Sequence, residues 1–156
     1  METVTTSGEI QTLPAAGAPT QAAGAAGARA AAQPAARPGR ILLAEDDASA
    51  RRYLEVALRR AGYVVLAASD GLEAMKLALT QEVDAVVTDC QMPHIGGLEL
   101  CRFLRGHPRL SALPVLLLSG SELPDETGES ADCCLRKPVD PEELARRISA
   151  LLPRAD

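Results

Sequence analysis

The architecture follows from one segment, Val83-Asp84-Ala85-Val86-Val87-Thr88-Asp89, which continues as Cys90-Gln91-Met92-Pro93. Its β-branched apolar run is long enough for one buried strand and too short for a helix. The run ends on a carboxylate and is then broken by a proline. In an open parallel α/β sheet, ligands and chemistry gather where the strands end at their carboxyl edge. Asp89 is therefore the candidate reactive centre of the chain.

Four more short apolar runs accompany this strand, and amphipathic helical patterns separate them. The runs begin at Ile41, Tyr63, Val115 and Cys133. Helix-start signals lie in the intervening segments: Asp47, the capping-box pair Asp70 and Glu73, and Asp140 followed by Pro141 and Glu143. Strands that alternate with helices predict a parallel sheet with right-handed crossovers.

We therefore expect an α/β fold of the flavodoxin-like, doubly wound kind, with five parallel strands in the order 2-1-3-4-5. One part of the pattern is irregular. Residues 120–131 contain Pro124, Gly128 and four carboxylates, and their helical periodicity is poor. The fourth helix, between the fourth and fifth strands, is accordingly expected to be shortened.

Length and composition predict one domain with a tail. The chain has 156 residues. Residues 1–38 are mostly Ala, Gly, Pro, Thr and Gln, which cannot bury enough surface to offset their ordering entropy, so we expect a disordered tail there. Residues 39–153 would form the folded domain. No apolar run approaches the 18 or so residues of a membrane span, and the amino terminus lacks the basic region of a signal peptide.

Charge and cysteine content narrow the function classes. The net charge is −5, and the basic residues form no patch with aromatic residues, so direct nucleic-acid binding is not expected. The four cysteines show no CxxC pair and no histidine at zinc-ligand spacing. We interpret them as reduced thiols, which suits the cytoplasm.

Polar side chains stand at the ends of four predicted strands: Glu45 and Asp46 after the first, Asp89 at the third, Ser119 at the fourth and Lys137 at the fifth. The predicted strand order places the first and third strands side by side, so the three carboxylates converge. Hard oxygen ligands select Mg²⁺ or Mn²⁺ over zinc or copper. Lys137 supplies a charge for an anion and Ser119 a hydroxyl donor. Any one of these residues could be a helix cap, a turn residue or a solvated charge, but together they indicate phosphoryl transfer to Asp89.

From about Arg40 to Pro153 the chain resembles a receiver domain of bacterial two-component response regulators. All five functional positions of that family are filled. The matching segments are Ile41-Leu42-Leu43-Ala44-Glu45-Asp46-Asp47, Val86-Val87-Thr88-Asp89-Cys90-Gln91-Met92-Pro93, Gly97, Pro114-Val115-Leu116-Leu117-Leu118-Ser119 and Lys137-Pro138.

The resemblance implies that Asp89 accepts a phosphoryl group from a phosphohistidine of a sensor histidine kinase or a phosphotransfer protein. Asp46 would bind Mg²⁺ directly and Glu45 through water, and Asp89 and the main-chain carbonyl of Gln91 would complete the protein ligands. The chain would be a phosphoprotein that catalyses only its own phosphorylation and dephosphorylation, not an enzyme with another substrate.

The resemblance also implies roles around the phosphoryl group. Ser119 and Lys137 would bind it, and the bond between Lys137 and Pro138 is expected to be cis, which would aim Lys137 at the site. Gln91 and Ser121 occupy the positions that tune dephosphorylation in this family. Cys134 stands where the family usually carries the aromatic residue of its switch.

Two hypotheses about output stay open. A stand-alone receiver would be phosphorylated on Asp89 and would signal by contacts with an unknown downstream protein, since no output domain follows Pro153 in this sequence. The alternative is an interaction module that works without phosphorylation, which Cys134 and the shortened segment motivate. A phosphatase of the haloacid dehalogenase type is disfavoured, because that family needs a second aspartate where Gln91 stands.

Overall fold

Five short strands and four helices make up the computed structural model, which describes residues 37–120 and 131–153. Within these ranges, no helix has both the length and the apolar character needed to cross a membrane. In chain order the elements are Arg40–Ala44 (β1), Ala48–Arg60 (α1), Val64–Ala68 (β2), Gly71–Thr80 (α2), Ala85–Asp89 (β3), Gly97–Gly106 (α3), Val115–Ser119 (β4), Cys133–Arg136 (β5) and Pro141–Leu151 (α4).

The strands form one sheet in the order β2-β1-β3-β4-β5, and every neighbouring pair is parallel. This confirms the predicted doubly wound α/β fold with the order 2-1-3-4-5. The shortened helix predicted between β4 and β5 falls on residues 121–130, outside the described residues. Residues 1–36 of the predicted tail lie outside them as well, so the domain boundaries stay predictions.

Helices cover both faces of the sheet, and alternate residues of each strand point to opposite faces. In β1, Ile41 and Leu43 face the cluster that α1 and α4 supply, whereas Leu42 and Ala44 face α2 and α3. The helices contribute buried side chains to these clusters: Leu54, Leu58, Leu144 and Ile148 on the first face, and Ala74, Ala78, Leu100, Cys101 and Leu104 on the second. Because both faces are covered, the central strands β1, β3 and β4 are mainly apolar, with polar residues only toward their ends.

Three aspartates begin helices as the sequence predicts. Asp47, Asp70 and Asp140 are N-caps, and each side chain accepts a hydrogen bond from the backbone N–H three residues on. The capping box at α2 differs in one detail. The carboxylate of Glu73 accepts from Ser69, whose N–H and hydroxyl lie 2.8 and 2.9 Å from the same oxygen, rather than from the N–H of Asp70. Ser69 offers two donors where Asp70 offers one.

Candidate functional site

The register of the sheet brings the predicted site residues to one edge. Ala44 pairs with Thr88, so Glu45 and Asp89 are the next residues on two neighbouring strands. On the other side of β3, Asp89 pairs with Leu118, and Ser119 in turn pairs with Arg136. Lys137 therefore emerges beside Ser119, whose carbonyl accepts the Lys137 N–H at 2.8 Å.

Three carboxylates form the centre of the site. One carboxylate oxygen from each of Glu45, Asp46 and Asp89 lies within 4.8 Å of the others. An octahedral Mg²⁺ ion with bonds of about 2.1 Å separates opposite ligands by about 4.2 Å, so these oxygens can share one ion directly or with an intervening water. Glu45 and Asp89 are buried, whereas Asp46 is exposed, so the cluster is open to solvent on the Asp46 side.

The ammonium of Lys137 bridges two of these carboxylates. Its Nζ lies 3.0 Å from Oε2 of Glu45 and 3.1 Å from Oδ1 of Asp89. Three carboxylates and one ammonium carry a formal charge of −3 + 1 = −2, which one divalent cation would neutralise. The all-oxygen donor set and this charge both fit Mg²⁺. The peptide bond between Lys137 and Pro138 is cis.

Glu45 is held at both of its carboxylate oxygens. Oε1 accepts the N–H of Asp47 at 3.1 Å, and Oε2 accepts the Lys137 ammonium. Burial nevertheless raises the pKa of Glu45, and the nearby charge of Asp89 raises it further, because these effects outweigh the hydrogen bonds. For Lys137, burial alone would lower the pKa, but its bonds to Glu45 and Asp89 outweigh burial and raise it. The neighbouring charge of Asp89 contributes to both shifts, as a lesser cause than burial for Glu45.

The main chain of Asp89 is packed on every side. The buried Thr88 hydroxyl donates to the Asp89 carbonyl at 3.0 Å, and the N–H of Cys90 donates to the Leu118 carbonyl at 2.8 Å. Gly97, the first residue of α3, lies so close that an added Cβ would come within 2.3 Å of the same Asp89 oxygen. The Asp89 carboxylate thus extends from a main chain that has little room to move.

The remaining predicted residues are not part of this cluster of carboxylates and Lys137. Ser119 is 2% exposed at the end of β4, and Gln91 is exposed in the segment after β3. Cys134 pairs with Leu117 and is half-buried on the face of the sheet that α2 and α3 cover. Burial raises the pKa of its thiol, and all four cysteines are free thiols. Ser121, the second of the two predicted tuning residues, lies outside the described residues.

Two residues that contact the site were missed in the sequence. The sequence places Thr88 in the third strand, and no local sequence pattern indicates that its hydroxyl donates to the carbonyl of the next residue. Arg51 was assigned to α1, yet its guanidinium reaches back to the carbonyl of Glu45 at 2.8 Å. The one local signal for this contact is that Arg51 lies about one helical turn after the Asp47 cap. Arg52 lies only one residue further along, so this signal does not separate the two arginines.

Comparison with known proteins gives a consistent result. A family model described as the response regulator receiver domain matches residues 41–149. The chain is 38% identical over 121 residues to the transcriptional regulatory protein GltR of Pseudomonas aeruginosa, covering 74% of this chain and 49% of GltR. It thus spans about half the length of this curated relative.

Two solved structures share the fold. The response regulator protein TrrA of Thermotoga maritima, in complex with Mg²⁺ and BeF, superposes with a TM-score of 0.68 at 29% identity, covering 73% of this chain and 99% of that one. The receiver domain of the sensor histidine kinase PA1611 of Pseudomonas aeruginosa, with a magnesium ion coordinated in its active-site cleft, gives a TM-score of 0.68 at 28% identity, covering 74% and 98%.

Proposed function

This chain belongs to the response regulator receiver domain family of two-component signalling, and on that premise we propose that it accepts a phosphoryl group on Asp89. One observation carries the proposal. A carboxylate at the end of a buried central strand lies 3.1 Å from a lysine ammonium and shares a cluster with two further carboxylates. A nucleophile, a positive charge and a set of hard oxygen ligands are the parts that phosphoryl transfer needs.

In the proposed step, an oxygen of the Asp89 carboxylate attacks the phosphorus of a phosphohistidine. The bond between oxygen and phosphorus forms as the bond between phosphorus and nitrogen breaks, and the leaving imidazole takes a proton from solvent. Lys137 offers positive charge to the phosphoryl oxygens, and Ser119 offers a hydroxyl donor at the adjoining strand end. Such fixed charge and donors act mainly by positioning and electrostatic stabilisation.

Glu45, Asp46 and Asp89 are the residues proposed to hold Mg²⁺, with the main-chain carbonyl of Gln91 as a further ligand. When bound, the ion would offset negative charge on the transferring group. The TrrA and PA1611 structures, whose descriptions include magnesium, support this choice. The same oxygen donors also accept Mn²⁺.

The proposed partners are a sensor histidine kinase or phosphotransfer protein as donor, and an unidentified protein as target, in the cytoplasm. The chain would catalyse only its own phosphorylation and dephosphorylation. The site argues against the alternative of a module that works without phosphorylation, because such a module has no use for buried carboxylates. Burying charged groups is costly unless they serve a purpose or are well paired.

Acetyl phosphate tests the proposal directly. The protein is incubated with acetyl phosphate and Mg²⁺ beside Asp89→Asn, and the added phosphoryl mass is measured on the intact chain. Asp47→Asn is the matched control, because asparagine caps a helix as well as aspartate does and Asp47 is outside the carboxylate cluster. We expect base-labile phosphoryl mass on the wild type and the control only. The same mass on Asp89→Asn, or none on the wild type even with a histidine-kinase donor, refutes the proposal.

A further inference from the structure

Asp46 is the exposed member of the carboxylate cluster, and its side chain makes no hydrogen bond or ion pair with any residue in the ranges 37–120 and 131–153. Glu45, in contrast, is fixed at both carboxylate oxygens. The position of the Asp46 carboxylate therefore depends on its main chain and its own side-chain rotamer, with no restraint from a neighbouring side chain among the described residues. A contact that fixes the backbone of the short connection between β1 and α1 therefore also helps to position this proposed metal ligand.

The side chain of Arg51, at the start of α1, contacts the backbone of that connection. Its Nη1 donates to the carbonyl of Glu45 at 2.8 Å and lies 3.5 Å from the carbonyl of Asp46. One guanidinium nitrogen thus contacts the main chain of both acidic residues. The second contact is at the outer limit of a hydrogen bond, so the first supplies most of the restraint.

The place of Arg51 in its helix supports a specific role. It is the fourth residue of α1, which begins at Ala48 and has no acidic residue in its first turn. A positive charge near a helix N-terminus is opposed by the helix dipole. The contacts with the two carbonyls offset this disadvantage. Arg52, the next residue, points into solvent with no partner among the described residues.

We propose that Arg51 is a positioning residue for metal binding, which fixes the main chain of Glu45 and Asp46 so that their carboxylates converge with Asp89. This inference rests on the proposed function, because it concerns the site at which Mg²⁺ would bind. Residues that orient metal ligands contribute to affinity without touching the metal. Arg51 acts through backbone carbonyls and leaves the carboxylate oxygens available.

The direction in which the Mg²⁺ affinity changes distinguishes a positioning role of Arg51 from an effect of its charge. Arg51 is a cation near a site for a cation, so loss of its charge alone would strengthen Mg²⁺ binding. Loss of positioning would weaken it. Arg52→Gln removes the same charge from the neighbouring residue without removing any contact. The comparison of Arg51→Gln with Arg52→Gln therefore isolates the positioning contribution.

The experiment titrates Mg²⁺ into wild type, Arg51→Gln, Arg52→Gln and Arg51→Lys, and follows the backbone amides of the β1–α1 connection by NMR. We expect Arg51→Gln to bind about tenfold more weakly than Arg52→Gln, at the lower end of the range for residues that orient a metal ligand. Arg51→Lys retains a donor and should recover part of the affinity. Thermal unfolding of each variant checks that the fold is intact.

Two outcomes would overturn the proposal, and they can be told apart. If wild type binds Mg²⁺ and Arg51→Gln binds as tightly as Arg52→Gln, Arg51 has no positioning role while the proposed function stands. Glutamine also carries an N–H donor, but on a shorter side chain, so equal weakening by Arg51→Gln and Arg51→Lys would likewise contradict a role that depends on a donor with the reach of arginine. If wild type itself fails to bind Mg²⁺, the proposed function fails and this inference fails with it.

Discussion

Replacement of Gly97 by alanine tests whether the packing against Asp89 fixes the position of this proposed phosphoryl acceptor. An added Cβ would lie 2.3 Å from the Asp89 carbonyl oxygen and 2.8 Å from Cδ1 of Leu117. Since real Cβ contacts are not shorter than 3.0 Å, α3 and β3 must separate by at least 3.0 − 2.3 = 0.7 Å. Overpacking of this kind costs about 1–3 kcal/mol.

The expected thermal effect follows from the size of the folded unit, which spans Pro38–Pro153. At about 2.1 cal/mol/K per residue, its unfolding entropy is roughly 0.24 kcal/mol/K, so a loss of about 2 kcal/mol lowers Tm by about 8 °C. The displaced carboxylate should also accept phosphate from acetyl phosphate about tenfold more slowly, since reacting groups tolerate little misplacement.

Gly106 provides a matched control at the other end of the same helix. A Cβ added there would meet no atom within 4 Å, and its φ is not in the left-handed region. We expect Gly106→Ala to be neutral or to stabilise the protein by up to about 1 kcal/mol, because alanine is the better helix former. Unfolding is followed by circular dichroism and phosphorylation by intact mass. If Gly97→Ala melts and reacts like Gly106→Ala, the packing argument is wrong.

Three further predictions concern stability. His94 has a φ of +66°, a conformation in which a Cβ is disfavoured. His94→Gly should therefore stabilise the protein against urea unfolding by up to about 1 kcal/mol. Destabilisation by His94→Gly would contradict this expectation. Arg105 donates to the Leu113 carbonyl at 2.8 Å and to Asp132 at 2.7 Å, so Arg105→Ala should cost about 1–2 kcal/mol in urea unfolding, whereas the exposed Arg109→Ala should cost almost nothing. Burial raises the pKa of Cys101 from 9.0 to about 11. The stabilisation from keeping this thiol protonated is complete below pH 9 and is lost as the pH rises through 11, by up to about 3 kcal/mol. Cys101→Ala should lack this alkaline loss of stability, and an unchanged dependence of stability on pH in the variant would refute the attribution to Cys101.

The fold and the positions of the site residues could be predicted because each rests on a local pattern. Buried parallel strands are short apolar runs, and in this chain four of the five runs end on, or are followed directly by, a polar residue of the site at one edge of the sheet. Helix caps such as Asp47 and Asp140 are equally local, since the side chain bonds to an N–H three residues away. Strand order came from the expected fold, and the observed register then brings Glu45, Asp89 and Lys137 together.

Contacts without a local pattern could not be predicted. Nothing in the sequence separates Arg51 from Arg52, because only the angle of helix α1 decides which side chain reaches the Glu45 carbonyl. The choice of Glu73 between Ser69 and Asp70 depends on the backbone direction before α2. Such contacts come from three-dimensional packing, and propensity carries no information about them. The roles of the site residues, in contrast to their positions, stay predictions.

The charges of the site explain why phosphorylation should require a divalent cation. Without one, the three carboxylates and Lys137 have a formal charge of −2. Phosphorylation of Asp89 would remove one negative charge and add about two on the phosphoryl oxygens, so the acyl phosphate product would carry about −3 around a single ammonium. Lys137 cannot offset this, because its single positive charge is already counted in that total. A bound Mg²⁺ brings the total to about −1, which makes the ion a requirement of the charge balance and predicts that chelation with EDTA abolishes phosphoryl transfer from acetyl phosphate.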